Sequence, residues 1–228
     1  MSPSEAAIRA EPEIPAPGQI RAIIGSPQRT LFAALVLSEA AALGALTAAF
    51  RSYGRDVLDV SLAQQALMLA PAALLGGLLV MPGGALADRL GPRRVMAPGF
   101  AATGVCLLLL SRWTDPAFVV ATAAVAGAGF GLAVPTIAST MMALAGPSKT
   151  RGGIIGWFMT MDGLGHAAGP AAAGVLLGVS GAPAVMIAAG MLFLFVAYIA
   201  LTSRLGERAE AEIMAVPAHP DAAVGGPT

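Results

Sequence analysis

Three ionisable side chains lie deep inside apolar stretches of this sequence: Glu39, Asp162 and His166. Such groups at membrane depth are costly, rare and by default mark a functional site. A carboxyl held there can load a proton from one aqueous phase and release it to the other, and a histidine can share that proton or pair with the carboxylate. Asp162 and His166 are four residues apart, so on a helix they share a face. Glu39 follows Arg29 by ten residues and Asp162 follows Arg151 by eleven. At the helical rise per residue each carboxyl sits about 15 Å in from its arginine, near the middle of a hydrocarbon core about 30 Å thick. The competing reading makes each a hydrogen-bonded structural group at a helix contact. Glu39 beside Ser38 and His166 fit that reading as well as the functional one.

The elements that must position these residues are set by composition. Of 228 residues, 57% are apolar and 11% charged, against about 25% charged in a soluble domain. A chain so poor in charge cannot cover its own surface with polar groups, so lipid is the expected solvent. Formal net charge is zero, which argues against nucleic acid as a partner. Six stretches approach or exceed the roughly 20 apolar residues needed to cross a bilayer: about 30–50, 62–82, 95–111, 117–145, 153–179 and 183–202. They are continuous apolar runs without the alternation of barrel strands, so the expected fold is an all-α membrane protein of six transmembrane helices. Residues 1–29 carry three glutamates, five prolines and no apolar core, and read as a polar cytoplasmic arm; residues 203–228 read as a polar cytoplasmic tail.

Orientation follows from the cations. Arg21, Arg29, Arg89, Arg93, Arg94, Lys149, Arg151, Arg204 and Arg208 fall on one side, and Arg51, Arg55 and Arg112 on the other. Nine against three places both termini in the cytoplasm, with the spans in the cell's inner (plasma) membrane.

Between spans two and three the chain reads Gly84-Ala-Leu-Ala-Asp-Arg-Leu-Gly-Pro-Arg-Arg94. This resembles the signature loop of the major facilitator superfamily, roughly G-x-L-x-D-R-x-G-R-R. Gly84, Asp88, Arg89, Gly91, Arg93 and Arg94 fit the pattern, and Pro92 departs from it. A tight turn at Gly91-Pro92 reverses the chain. The resemblance implies a gate loop in which Asp88 meets a helix N-terminus or an arginine of an opposite half. Span five, with Gly165, Gly169, Pro170 and Gly174, resembles the G-x-x-x-G-P-x-x-G-G pattern of proton-driven antiporters in that superfamily, with Ala173 in place of one glycine. These glycines also suit close helix packing, as do Gly127 and Gly131 in span four, which also holds Pro135.

The resemblance covers residues 30–202. It implies a secondary transporter of a small solute, with proton-coupled efflux suggested by span five. Transporters of this family have two six-helix halves with the substrate between them; this sequence has one, most similar to the C-terminal half. The implied partners are therefore the lipid bilayer, a small-molecule substrate, and a second six-helix half or a second copy. Spans three and six carry no acid, base or histidine, matching the family arrangement in which those helices face lipid.

Gln64, Gln65, Thr136, Ser139, Thr140 and Thr160 are further candidates to line a pathway, with Gln64 and Gln65 equally suited to the external interface. Trp157 is expected to anchor at the interface, and Cys106 to be an inert buried thiol. No metal, cofactor or enzyme activity is expected: there is no H-E-x-x-H motif, no Cys/His cluster and no phosphate-binding loop. Gly178-Val-Ser-Gly181 is similar to the rhomboid protease motif, but span six offers no histidine base. A non-transporting membrane protein, either truncated or a partner of another membrane protein, is the other alternative.

Overall fold

The computed structural model describes residues 25–146 and 151–203. The arm expected over 1–29 and the tail over 203–228 lie almost wholly outside them, as do Arg21, Lys149, Arg204 and Arg208. The described chain forms six α-helices: α1 (Pro27–Ser52), α2 (Leu62–Leu90), α3 (Pro92–Leu110), α4 (Pro116–Ala145), α5 (Arg151–Ser180) and α6 (Ala182–Thr202). No strand occurs among the described residues.

Local chemistry sets the ends. Proline opens α1, α3 and α4, where its missing N–H costs nothing. Ser61 and Gln64 form a reciprocal capping box on α2, and Asp115 accepts from the Phe118 N–H at the start of α4. Gly91, at φ 85°, is the single residue between α2 and α3. The expected signature loop is therefore mostly helix: Gly84 to Leu90 complete the last turns of α2, and Pro92 begins α3. Only Gly91 reverses the chain, because a left-handed φ is open to glycine without steric cost. The segment after α1 also departs from a plain external loop, since Tyr53–Val57 continues as one turn of π-helix.

Five helices are long and apolar enough to cross a membrane: α1 with its π turn, α2, α3, α4 and α6. The fifth helix is 30 residues long, but eight glycines together with Asp162, His166 and Thr160 dilute its apolar content.

Helix pairing runs between the two halves of the sequence. The most extensive contacts join α1 to α5, α2 to α4, and α3 to α4 and α6. Glycines make each approach possible. A Cβ on Gly99 would lie 2.6 Å from the Gly129 carbonyl oxygen, and one on Gly104 2.8 Å from that of Gly190. Phe100 stacks on Phe193 at 5.8 Å between ring centroids, and Phe130 meets Phe193 edge-on at 6.0 Å. The core thus sits between α3, α6 and the inner faces of α1 and α4. Spans three and six pack on each other and leave Val105, Met191, Phe195 and Tyr198 exposed on their other faces. Half or more of the most apolar stretch of α3 and of α6 is buried, against 6% for α2. The broadest uncovered apolar surface belongs to α2.

Candidate functional site

The ionisable residues gather where α1 crosses α5. Gly165 and Gly169, one turn apart, bring α5 against the α1 backbone. A Cβ on Gly165 would stand 2.5 Å from the Leu37 carbonyl oxygen, and one on Gly169 2.9 Å from the Ala45 nitrogen. The fit is reciprocal, for a Cβ on Gly44 would meet Pro170 Cδ at 2.9 Å and the His166 carbonyl oxygen at 3.2 Å. Below the crossing, Phe32 and Phe158 meet edge to face with centroids 4.8 Å apart, an arrangement worth about 1 kcal/mol beyond area burial. Gly174 does not share in this contact: the space around it is open, and Ala173, fully buried, continues the register instead. Five residues rotate a helix about 140° past Gly169, whereas four keep the same face.

Asp162 and His166 lie on α5 flanking this crossing. His166 Nδ1 is 3.1 Å from the Asp162 carbonyl oxygen and 3.6 Å from its Oδ2, and both side chains are about half exposed on the described chain. Glu39 is buried on α1, and its carboxyl is in electrostatic reach of both Asp162 and His166. The structure therefore brings together all three ionisable residues singled out from the sequence. Two acids and an imidazole, one buried and two accessible, can hold and pass a proton.

The signature residues sit elsewhere. Asp88, Arg89 and Arg94 are exposed at the α2–α3 corner, and Asp88 has no ion-pair partner among the described residues. Arg93 donates to the Leu201 carbonyl oxygen, tying the start of α3 to the end of α6. The glycines of span four pack as expected: Gly127 against Ala72, and Gly131 against Gly76, both on α2.

The remaining polar candidates are largely engaged. Thr136, Ser139, Thr140 and Thr160 donate to carbonyls three or four residues back on their own helices. Gln64 caps α2. Gln65 is neither exposed nor interfacial: it is buried, and its Nε2 donates to the Phe50 carbonyl oxygen at 2.5 Å. Trp157 turns its indole N–H inward, where it is buried with no acceptor among the described residues, so it does not present a polar edge to an interface. Ser180 ends the same helix that carries His166, roughly 21 Å away along the axis by helical rise, so the two cannot form a nucleophile–base pair.

Several packing residues escaped the sequence reading. Gly44, Gly99, Gly104, Gly129 and Gly190 all admit a neighbouring backbone or side chain. Thr103 Oγ1 lies 3.0 Å from the Gly99 and 3.1 Å from the Ala126 carbonyl oxygen, bridging α3 and α4. Glycine spaced by three or four from another small residue was the available signal, but such spacings abound in this sequence.

Long apolar helices joined through glycine, five of them able to cross a membrane, define a multi-pass membrane protein. The family model described as Major Facilitator Superfamily matches residues 23–217, and the chain belongs to that superfamily of membrane transporters. Its six helices fit one half of such a transporter. No curated protein matches the chain.

Proposed function

We propose that this chain is one six-helix half of a proton-coupled secondary transporter that exports a small solute. In this reading α5 also crosses the inner membrane, bringing the spans to six, and the arm, the α2–α3 corner and the tail lie in the cytoplasm. A second half, from another chain or another copy, completes the solute pathway; the closest likeness is to the C-terminal half. Glu39 and Asp162 carry the proton, with His166 as partner to Asp162. Asp88, Arg89, Arg93 and Arg94 hold the cytoplasmic gate with Gly84 and Gly91 shaping the corner.

The observation that carries the reading is the cluster of Glu39, Asp162 and His166 around a glycine-packed helix crossing. Ionisable groups in hydrocarbon are retained where they serve a pathway. Efflux rests on the likeness of the Gly165–Pro170 stretch to proton antiporters. Everted membrane vesicles carrying the chain, energised by an imposed pH gradient and offered a panel of small solutes, provide the test. Accumulation should be abolished by Asp162→Asn while the protein remains in the membrane. Undiminished accumulation in that variant would refute the assignment.

A further inference from the structure

Helices α1, α3 and α5 each carry arginine and no acid in the first turn. A cation there opposes the positive end of its own helix dipole, whereas the unpaired carbonyls in the last turn of a neighbouring helix attract it. All three helices use the arginine in that second way. Arg93 of α3 donates to the Leu201 carbonyl oxygen at the end of α6. Arg29 Nε of α1 donates to the Leu144 carbonyl oxygen of α4 at 3.3 Å, a partly buried bond between residues 115 apart in sequence. Arg151 Nη2 of α5 lies 3.8 Å from Met142 Sδ, in the same last turn of α4.

Two arginines from the crossing pair α1 and α5 thus converge on one turn of α4, a helix that otherwise touches α1 and α5 little. Along most of its length α4 is seated on α2. Their close glycine approaches end at Gly83, where a Cβ would lie 2.5 Å from the Leu132 carbonyl oxygen; one on Gly84 would stand 3.9 Å from Pro135. The α4 backbone is weakened at that same level. Pro135 lacks the N–H that would bond the Gly131 carbonyl. The hydroxyls of Thr136, Ser139 and Thr140 turn back onto carbonyls of their own helix, which favours bending. Residues 136–145 then run about 15 Å to the arginines. Thr140 and Ala145 are buried, so this length of helix lies packed in the structure.

We propose that Arg29 is a positioning residue, a latch that with Arg151 holds the C-terminal end of α4 on the α1–α5 pair. Beyond Pro135, α4 then follows that pair, and once released it pivots at Pro135. The latch goes beyond the proton site, and neither stands or falls with the other.

Hydrogen–deuterium exchange read by mass spectrometry, on the full chain in phosphatidylcholine nanodiscs, tests it. Arg29→Met keeps an apolar stem and removes the donor. It should speed exchange over residues 136–146 about tenfold, the factor that a charged hydrogen bond of ordinary strength supplies, and leave residues 117–134 unchanged. Arg29→Lys keeps the cation and should restore much of the protection. Arg151→Met should speed the same segment about twofold, the low end of a charge effect at a helix terminus. Pro135→Ala in the Arg29→Met chain returns the missing backbone bond to the pivot and should bring exchange back toward the parent rate. Faster exchange over both segments would mean that the arginines only stabilise the bundle. An unchanged rate in either arginine variant would mean that it holds nothing, and a rise that survives Pro135→Ala would mean that the helix end merely frays. Each of these overturns the latch.

Discussion

The α1–α5 and α2–α4 contacts are built alike and differ in one respect. Each uses two glycines a turn apart, Gly165 and Gly169 in one and Gly127 and Gly131 in the other, to seat a helix on its neighbour's backbone. In hydrocarbon this packing supplies what the hydrophobic effect supplies in water. Yet Glu39, Asp162 and His166 all gather at the first contact, while between Leu62 and Ala87 and throughout α4 there is no ionisable residue. Since packing is equally good on both sides, it does not require the charges. In the proposed reading, their placement on one side marks that side as the working one.

The comparison can be broken first at the glycines. Gly169→Val and Gly131→Val should each cost about 4 kcal/mol or more, because the new side chain meets backbone rather than a movable group. Thermal unfolding in detergent should show similar losses, and a large disparity would mean the two contacts are not equivalent. Asp162→Asn should separate them functionally. It abolishes pH-driven accumulation but changes stability by less than about 1 kcal/mol, as expected for a half-exposed pair. On the other side, Thr103→Val removes the hydroxyl bridging α3 and α4. It should cost about 0.6 kcal/mol, the mean for hydrogen bonds between membrane helices, and leave transport intact. Smallest of all, Gly174→Ala should be neutral or stabilise by about 0.5 kcal/mol through helix propensity, since nothing stands in the way. A loss there would restore Gly174 to the packing face.

The pattern of what was legible follows from range. Apolar run length gave the six helices, a local property, and Gly91-Pro92 gave the turn between α2 and α3. The other ends followed apolar content and missed polar last turns such as that of α2. The i, i+4 relation of Asp162 and His166 is likewise local. That Glu39 joins them depends on α1 crossing α5, which the sequence suggested only through matched depth from Arg29 and Arg151. Gly174 falls outside the α1–α5 contact, because a small-residue repeat does not say which spacing keeps the face. The burial of Gln65 was hidden because it needs a π turn at Tyr53 and a glycine at position 54 to receive it. The signature residues were recognised, but a pattern of residue types does not reveal that α2 runs helical to Leu90.

The central claim is that Glu39 and Asp162 act as one proton site. Infrared difference spectroscopy of the membrane-reconstituted chain, following the carboxyl stretch lost in Glu39→Gln, reads it directly. The account predicts that Asp162→Asn shifts the pH at which the Glu39 band appears. An unchanged Glu39 titration in that variant would contradict it.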